Sequence, residues 1–310
     1  MHSKREFLTG MGLALAAASA PAFAQGAKKS AAANAAASEA EGGPRGKLPN
    51  RTAKTTKLFK APGLWPNALA TAPDGLWVAQ QHLTEGEAKG VNVPWPTKGK
   101  EQVWLVDMNG KVLKTVESNA SNTSGLAYGN GDLYVCSNTD DEASGIHKVN
   151  VASGKQVAQL QLPLSPNNRM GGCHGAKWDS HGKLWIANNR MRSLMRMDPV
   201  SWKADLQIPI YSPPGMGRFH DFTFDKDGTL LQVIANEKSK NHTENVAGLV
   251  RMEAETGKPL EIITFEPGSC DPHGLDMVNG QLIGCDAGYH PGWANYDSPS
   301  SQWVFRIDMV

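Results

Sequence analysis

Five stretches of this chain carry one pattern, and a chain that repeats one small unit in this way has few folds open to it. The stretches are residues 67–78, 124–135, 174–186, 220–233 and 273–284, opening on Asn67, Ser124, His174, His220 and His273. Each reads as a short alternating strand, a tight turn built on glycine, and a second apolar strand. They recur at roughly the 40 to 55 residue period of a blade repeat. One such unit cannot bury its apolar faces alone, so the copies must pack against each other.

A second strand pair follows four of these units, at residues 103–113, 146–157, 194–204 and 249–260, and four antiparallel strands make a propeller blade. The fifth unit stops after residues 303–308, which match a third strand with no fourth, while residues 56–60 form a strand that precedes the first unit with nothing of its own to pair. Pairing 57–60 beside 303–307 would close the ring and remove an exposed edge. The expected fold is therefore all-β, a single β-propeller of five four-stranded blades over residues 56–310, closed by its N- and C-terminal strands. A sixth, degenerate blade hidden in a long connection is the alternative.

The N-terminal part stands apart. Lys4 and Arg5 precede an apolar run at residues 11–18, and Ala22-Phe23-Ala24 offers a small-x-small cleavage site, so residues 1–24 read as a signal peptide. The run Ser3-Lys4-Arg5-Glu6-Phe7-Leu8 resembles a twin-arginine signal with Lys for the first Arg, which leaves either that machinery or ordinary Sec export. Both imply a bacterial protein that is periplasmic or secreted. Residues 25–55 are Ala, Ser, Lys, Gly and Pro with almost no large apolar side chain, the composition of a disordered linker. A net charge of +1 gives no electrostatic case for nucleic acid. No apolar run is long enough to span a membrane. The expected partner is a small-molecule substrate.

Connection lengths point to the working face. Turns between first and second strands, such as Asn130-Gly131 and Asn279-Gly280, are tight, so every long loop falls on the other face, where each inner strand begins. That face carries His174, His220 and His273 at one register in consecutive units. Imidazoles converging on an axis with no fourth protein ligand suit a catalytic zinc site with an open position; Ca2+ or Mg2+ are the other metals to consider. The plainer alternative is that each histidine bonds backbone at the channel wall.

Around them, Asp271 stands two residues before His273 and could orient an imidazole, act as acid or base, or cap a turn before Pro272. Asp221 follows His220 directly, so strand alternation sends it to the opposite side. Tyr289 and His290 are candidate proton-transfer groups, and Arg169, Arg190, Arg192, Arg218, Trp293 and Tyr296 are candidate substrate contacts. Cys173 and Cys270 sit near the same mouth, as one disulfide, idle thiols or a thiolate ligand; Cys136 and Cys285 read as buried free thiols. No Gly-x-Ser-x-Gly elbow, dinucleotide fingerprint, P-loop or haem-attachment motif occurs.

Residues 68–79 and Asp271-Pro-His-Gly-Leu-Asp-Met277 resemble the blades of the NHL, SMP-30/gluconolactonase and streptogramin-lyase group of propellers. Within that group, one histidine from each of three blades resembles the channel site of peptidyl-hydroxyglycine amidating lyase, which implies His174, His220 and His273 as zinc ligands. The Asp271-x-His273 order is similar to the acidic-x-His pair of streptogramin lyase, which implies Asp271 as an acid or base. The early metal-binding Glu of gluconolactonase has no counterpart at residues 63–67. These resemblances imply an exported metal-dependent lyase, or a lactonase or hydrolase, acting on a small polar, carboxylate-bearing molecule. A non-catalytic propeller binding a protein or glycan through the long-loop face is the competing reading.

Overall fold

The computed structural model describes residues 48–82, 85–90, 99–163, 172–213, 216, 218–235, 247–288 and 301–310. The signal-peptide reading of 1–24 and most of the linker reading lie outside these residues. Among them, no helix is long and apolar enough to cross a membrane.

After β1 (Asn50–Lys60), four strands build the first blade: β2 (Pro66–Ala72), β3 (Gly75–Gln80), β4 (Glu101–Val106) and β5 (Val112–Ser118). The short helix Glu85–Gly90 lies between β3 and β4. The second blade is β6 (Thr123–Gly129), β7 (Asp132–Ser137), β8 (Gly145–Asn150) and β9 (Lys155–Leu160). The third is β10 (Cys173–Trp178), β11 (Leu184–Asn188), β12 (Ser193–Asp198) and β13 (Lys203–Pro209). The fourth is β14 (Arg218–Phe224), β15 (Leu230–Ala235), β16 (Gly248–Met252) and β17 (Pro259–Phe265). The fifth joins β18 (Gly274–Val278), β19 (Gln281–Cys285) and β20 (Trp303–Met309) to β1.

Burial explains the layering. Every residue of β11 is buried, because second strands are sandwiched between neighbouring blades, whereas outer β9 alternates exposed and half-buried positions. The apolar core divides into five clusters, and each spans one blade-to-blade interface, the fifth joining Val304 and Phe59 to Leu69 and Trp104. Five blades with five interfaces form a closed circle. The described residues thus hold five blades, and the sixth-blade alternative has no strands among them.

Ring closure follows the expected pairing, with Lys57 opposite Phe305 and Lys60 opposite Trp303. The ammonium groups of Lys57 and Lys60 also lie 5.2 and 5.8 Å from the Trp303 ring centre. The strand begins earlier than the sequence suggests, at Asn50 rather than Thr56. Residues 50–53 pair in parallel with β17, from Asn50 opposite Ile262 to Ala53 opposite Phe265, so residues 50–55 belong to the sheet and not to the linker. Backbone pairing needs no large apolar side chain, which is why composition hid it.

Four of the five inner strands open on an irregularity. Register shifts fall between Pro66 and Ala68, Thr123 and Gly125, Cys173 and Gly175, and Phe219 and Phe222. A bulge inserts a residue and re-aims a side chain, and here the inserted positions hold Asn67, Ser124, His174 and His220. His273 stands just before β18, its N–H bonded to the Cys285 carbonyl at 2.8 Å.

Candidate metal centre

At the mouth where the inner strands begin, the opening residues form a buried polar ring: Asn67, Ser124, His174, His220 and His273 are all at most 6 % exposed. The His220 ring centre lies 5.5 Å from that of His174 and 4.5 Å from that of His273. Histidines from three blades are thus neighbours, as the shared register requires.

Their supports come from the ends of second strands. Asn138, just after β7, donates from Nδ2 to His174 Nε2 at 2.7 Å. Asp286, just after β19 and fully buried, places Oδ1 3.6 Å from His273 Nδ1, and the Ala287 N–H reaches the same nitrogen at 3.4 Å. The carboxylate beside the imidazole and the N–H at its Nδ1 together limit the ring's orientation. On the histidine-free side, Asn67 donates to Gln81 Oε1 and to the Thr123 carbonyl, and Gln81 bonds Asn122. Beneath them Glu101 accepts the N–H groups of His82, Asn122 and Thr123; burial pushes its carboxyl up to about 7 against those three bonds. Sequence reasoning missed Asn138 and Asp286. Their signal was positional, since both directly follow a second strand, as Gln81 does in the first blade.

One residue further in, the inner strands touch. The positions after the opening residues are Ala68, Gly125, Gly175, Asp221 and Gly274. A Cβ on Gly125 would come within 2.6 Å of the Gly175 backbone, and one on Gly274 within 2.8 Å of Ala68 Cα, so these approaches admit almost no side chain. Asp221 is the exception, a carboxylate at a level otherwise held by glycine and alanine. The bulge at His220 breaks strand alternation, and Asp221 Oδ2 accepts from Lys177 Nζ at 3.1 Å and from the Leu275 N–H at 3.0 Å. Lys177 also donates to the Leu69 and Leu126 carbonyls. This fully buried pair closes the waist of the channel. Burial raises the Asp221 carboxyl to about 7, opposed by the Lys177 charge.

The remaining expected site residues divide. Asp271 is buried, at 5 % exposure, in the link before His273. Arg190 pairs with Asp140 at the surface, and Arg192 bonds Ser212. Arg218 begins β14, and its side chain lies outside the description. Arg169, Tyr289, His290, Trp293 and Tyr296 also lie outside the described residues. All four cysteines are free and buried, which removes the Cys173–Cys270 bridge; those two belong to different interface clusters. Cys173 instead neighbours the Cys136 thiol, and burial with that neighbour pushes its pKa up, away from a ready thiolate ligand.

Whether three histidines suit a metal is a matter of spacing and donor type. Two imidazoles sharing one zinc, with nitrogens about 2.0–2.1 Å from it, have ring centres about 5 Å apart, and the observed 5.5 and 4.5 Å straddle that value. Among the described residues, no three His, Cys, Asp or Glu donors are gathered on one point. The His174 bond to Asn138 is one reason, since it engages a ring nitrogen. Imidazole is a donor type that suits zinc and the neighbouring ring centres are close, but the ring nitrogens do not converge on one point.

No family model matches the chain. No curated protein matches it either. Among solved structures, it is similar to the glutaminyl cyclase of Myxococcus xanthus, with TM-score 0.55 and 10% identity over 85% of this chain and 100% of that one. It is also similar to the RRP9 WD40 repeats, with TM-score 0.46 and 12% identity over 83% of this chain and 98% of that one. Hydrazine synthase of Kuenenia stuttgartiensis matches at TM-score 0.43 and 16% identity, over 73% of this chain and 58% of that one. At such identities the likeness to the cyclase concerns architecture alone, and that architecture is the β-propeller.

Proposed function

We propose that His174, His220 and His273 hold one divalent metal, zinc by ligand chemistry, and that the protein is a metal-dependent lyase, or a lactonase or hydrolase, working on a small polar molecule at this mouth. The observation that carries the reading is three buried imidazoles at the openings of three consecutive inner strands, with ring centres 5.5 and 4.5 Å apart.

A bound divalent metal would supply Lewis-acid polarisation of a substrate oxygen. The chain's own residues do the rest. Asp286 holds His273 from behind, and Asn138 orients His174. Asp271, buried two residues before His273, is the carboxyl best placed in sequence to hold or move a proton. The Asn67 Oδ1 is buried with no hydrogen-bond partner among the described residues, an acceptor open to a substrate hydroxyl or amide. Arg169, Arg190 or Arg218 would hold a substrate carboxylate.

The test is metal content. Protein stripped with chelator and re-equilibrated with zinc should hold about one equivalent, and alanine at any one of the three histidines should abolish that binding while the far-UV spectrum and melting cooperativity persist. Protein that takes up no zinc, or three alanine variants that retain it, would overturn the reading and favour a binding module using the long-loop face.

A further inference from the structure

We propose that the opposite mouth of the channel is a second binding site, for a small organic cation. A cavity of about 240 Å3 opens there, lined by residues three and four places beyond each opening residue. The fourth places are Thr71, Tyr128, Trp178, Phe224 and Met277, so consecutive blades present a tyrosine, a tryptophan and a phenylalanine to one recess. The third places include one ammonium, Lys177, and one carboxylate, Asp276.

The two charges are not equivalent. Lys177 spends its three N–H donors on the Leu69 carbonyl, the Leu126 carbonyl and Asp221, so its charge is compensated at the waist. Asp276 accepts only neutral donors: the Thr71 N–H at 2.6 Å, the Thr223 hydroxyl at 3.0 Å and the Met277 N–H at 2.8 Å. These bonds fix the carboxylate in place without a cation, and no ion pair to it occurs among the described residues. A fixed negative charge beside three aromatic rings is the chemistry that attracts an organic ammonium, because ring faces and carboxylate both favour positive charge. An anion would meet repulsion, and a neutral solute would gain burial alone. The site is separated from the histidines by the Lys177–Asp221 pair and does not depend on a metal being bound.

Calorimetric titration of the full chain with choline, against its uncharged isostere 3,3-dimethylbutan-1-ol, tests this. Saturable choline binding is expected, with the isostere binding at least about tenfold more weakly. Asp276→Asn should weaken choline by about tenfold or more, and Tyr128→Leu, which leaves the carboxylate's bonds intact, should weaken it several-fold. No saturable binding of choline, equal binding of the two solutes, or choline binding unaltered in both variants would overturn the proposal.

Discussion

The imidazole of His220 stands 4.5 Å from that of His273, with the two ring planes at 72°. Nothing local holds them together; the ring order of the blades does. His273 is the better supported of the two, with the buried Asp286 carboxylate 3.6 Å from its Nδ1. Asp286→Asn should therefore weaken zinc binding by about 10–100-fold while the fold persists, because only the orientation and basicity of the ligand change. Competition with a calibrated chelator measures it. An unchanged zinc affinity would place Asp286 outside the metal's surroundings.

The waist ion pair should behave as a buried pair does. Lys177→Met removes the charge and the hydrogen bond that face the Asp221 carboxyl at 0 % exposure, and should cost about 3–5 kcal/mol in urea unfolding. The double change Lys177→Met with Asp221→Leu should recover much of that loss, since neither charge then needs a partner. Two single losses that simply add would show that the side chains act separately.

Ring closure can be cut from either end. Removing residues 304–310 takes β20 from both β19 and β1 and should unfold the whole domain. Deleting every residue before Thr55 removes the parallel pairs to β17 and the Arg51–Glu261 ion pair. The expected cost is about 2–4 kcal/mol of backbone hydrogen bonding and burial. A melting transition that ignores the shorter start would return residues 50–54 to the linker.

Glu101 sets a pH dependence. Its folded pKa of about 7 lies above the 4.5 of a free glutamate, so the folded state binds the proton more tightly than the unfolded chain. Its contribution is fully present below about pH 4.5 and is lost as pH rises toward 7, a total of about 3 kcal/mol. Asp221 acts with the same sign, so the difference between the native chain and Glu101→Gln isolates Glu101. Denaturant midpoints from pH 4 to 8 should show a smaller decline in the variant. Equal slopes would mean that the three N–H bonds to Glu101 outweigh its burial.

Much of this molecule was legible before its coordinates. Period-two alternation and glycine turns located the inner strands, and Asn130-Gly131 and Asn279-Gly280 do adopt the left-handed backbone of tight hairpins, with φ of 55° and 79°, and 49° and 75°. The missing fourth strand of the last unit identified its partner at the start. A shared register put the histidines on one axis, because residues at equivalent points of a closed repeat must face the same centre.

What the tertiary structure alone decided begins where alternation fails. A bulge adds a residue without any mark in the composition, and Asp221 lies in the waist against Lys177. The partners of the histidines, Asn138 and Asp286, come from strand ends whose proximity depends on how blades dock. The same docking gathers Tyr128, Trp178, Phe224 and Asp276 around one cavity, though each is unremarkable in its own strand. Residues 50–53 join the sheet through backbone bonds, which any sequence without proline can make. Hydrophobic periodicity is written along the chain and specifies strands and faces. Side-chain neighbours across blades are set by bulges and ring order, which are properties of the closed assembly.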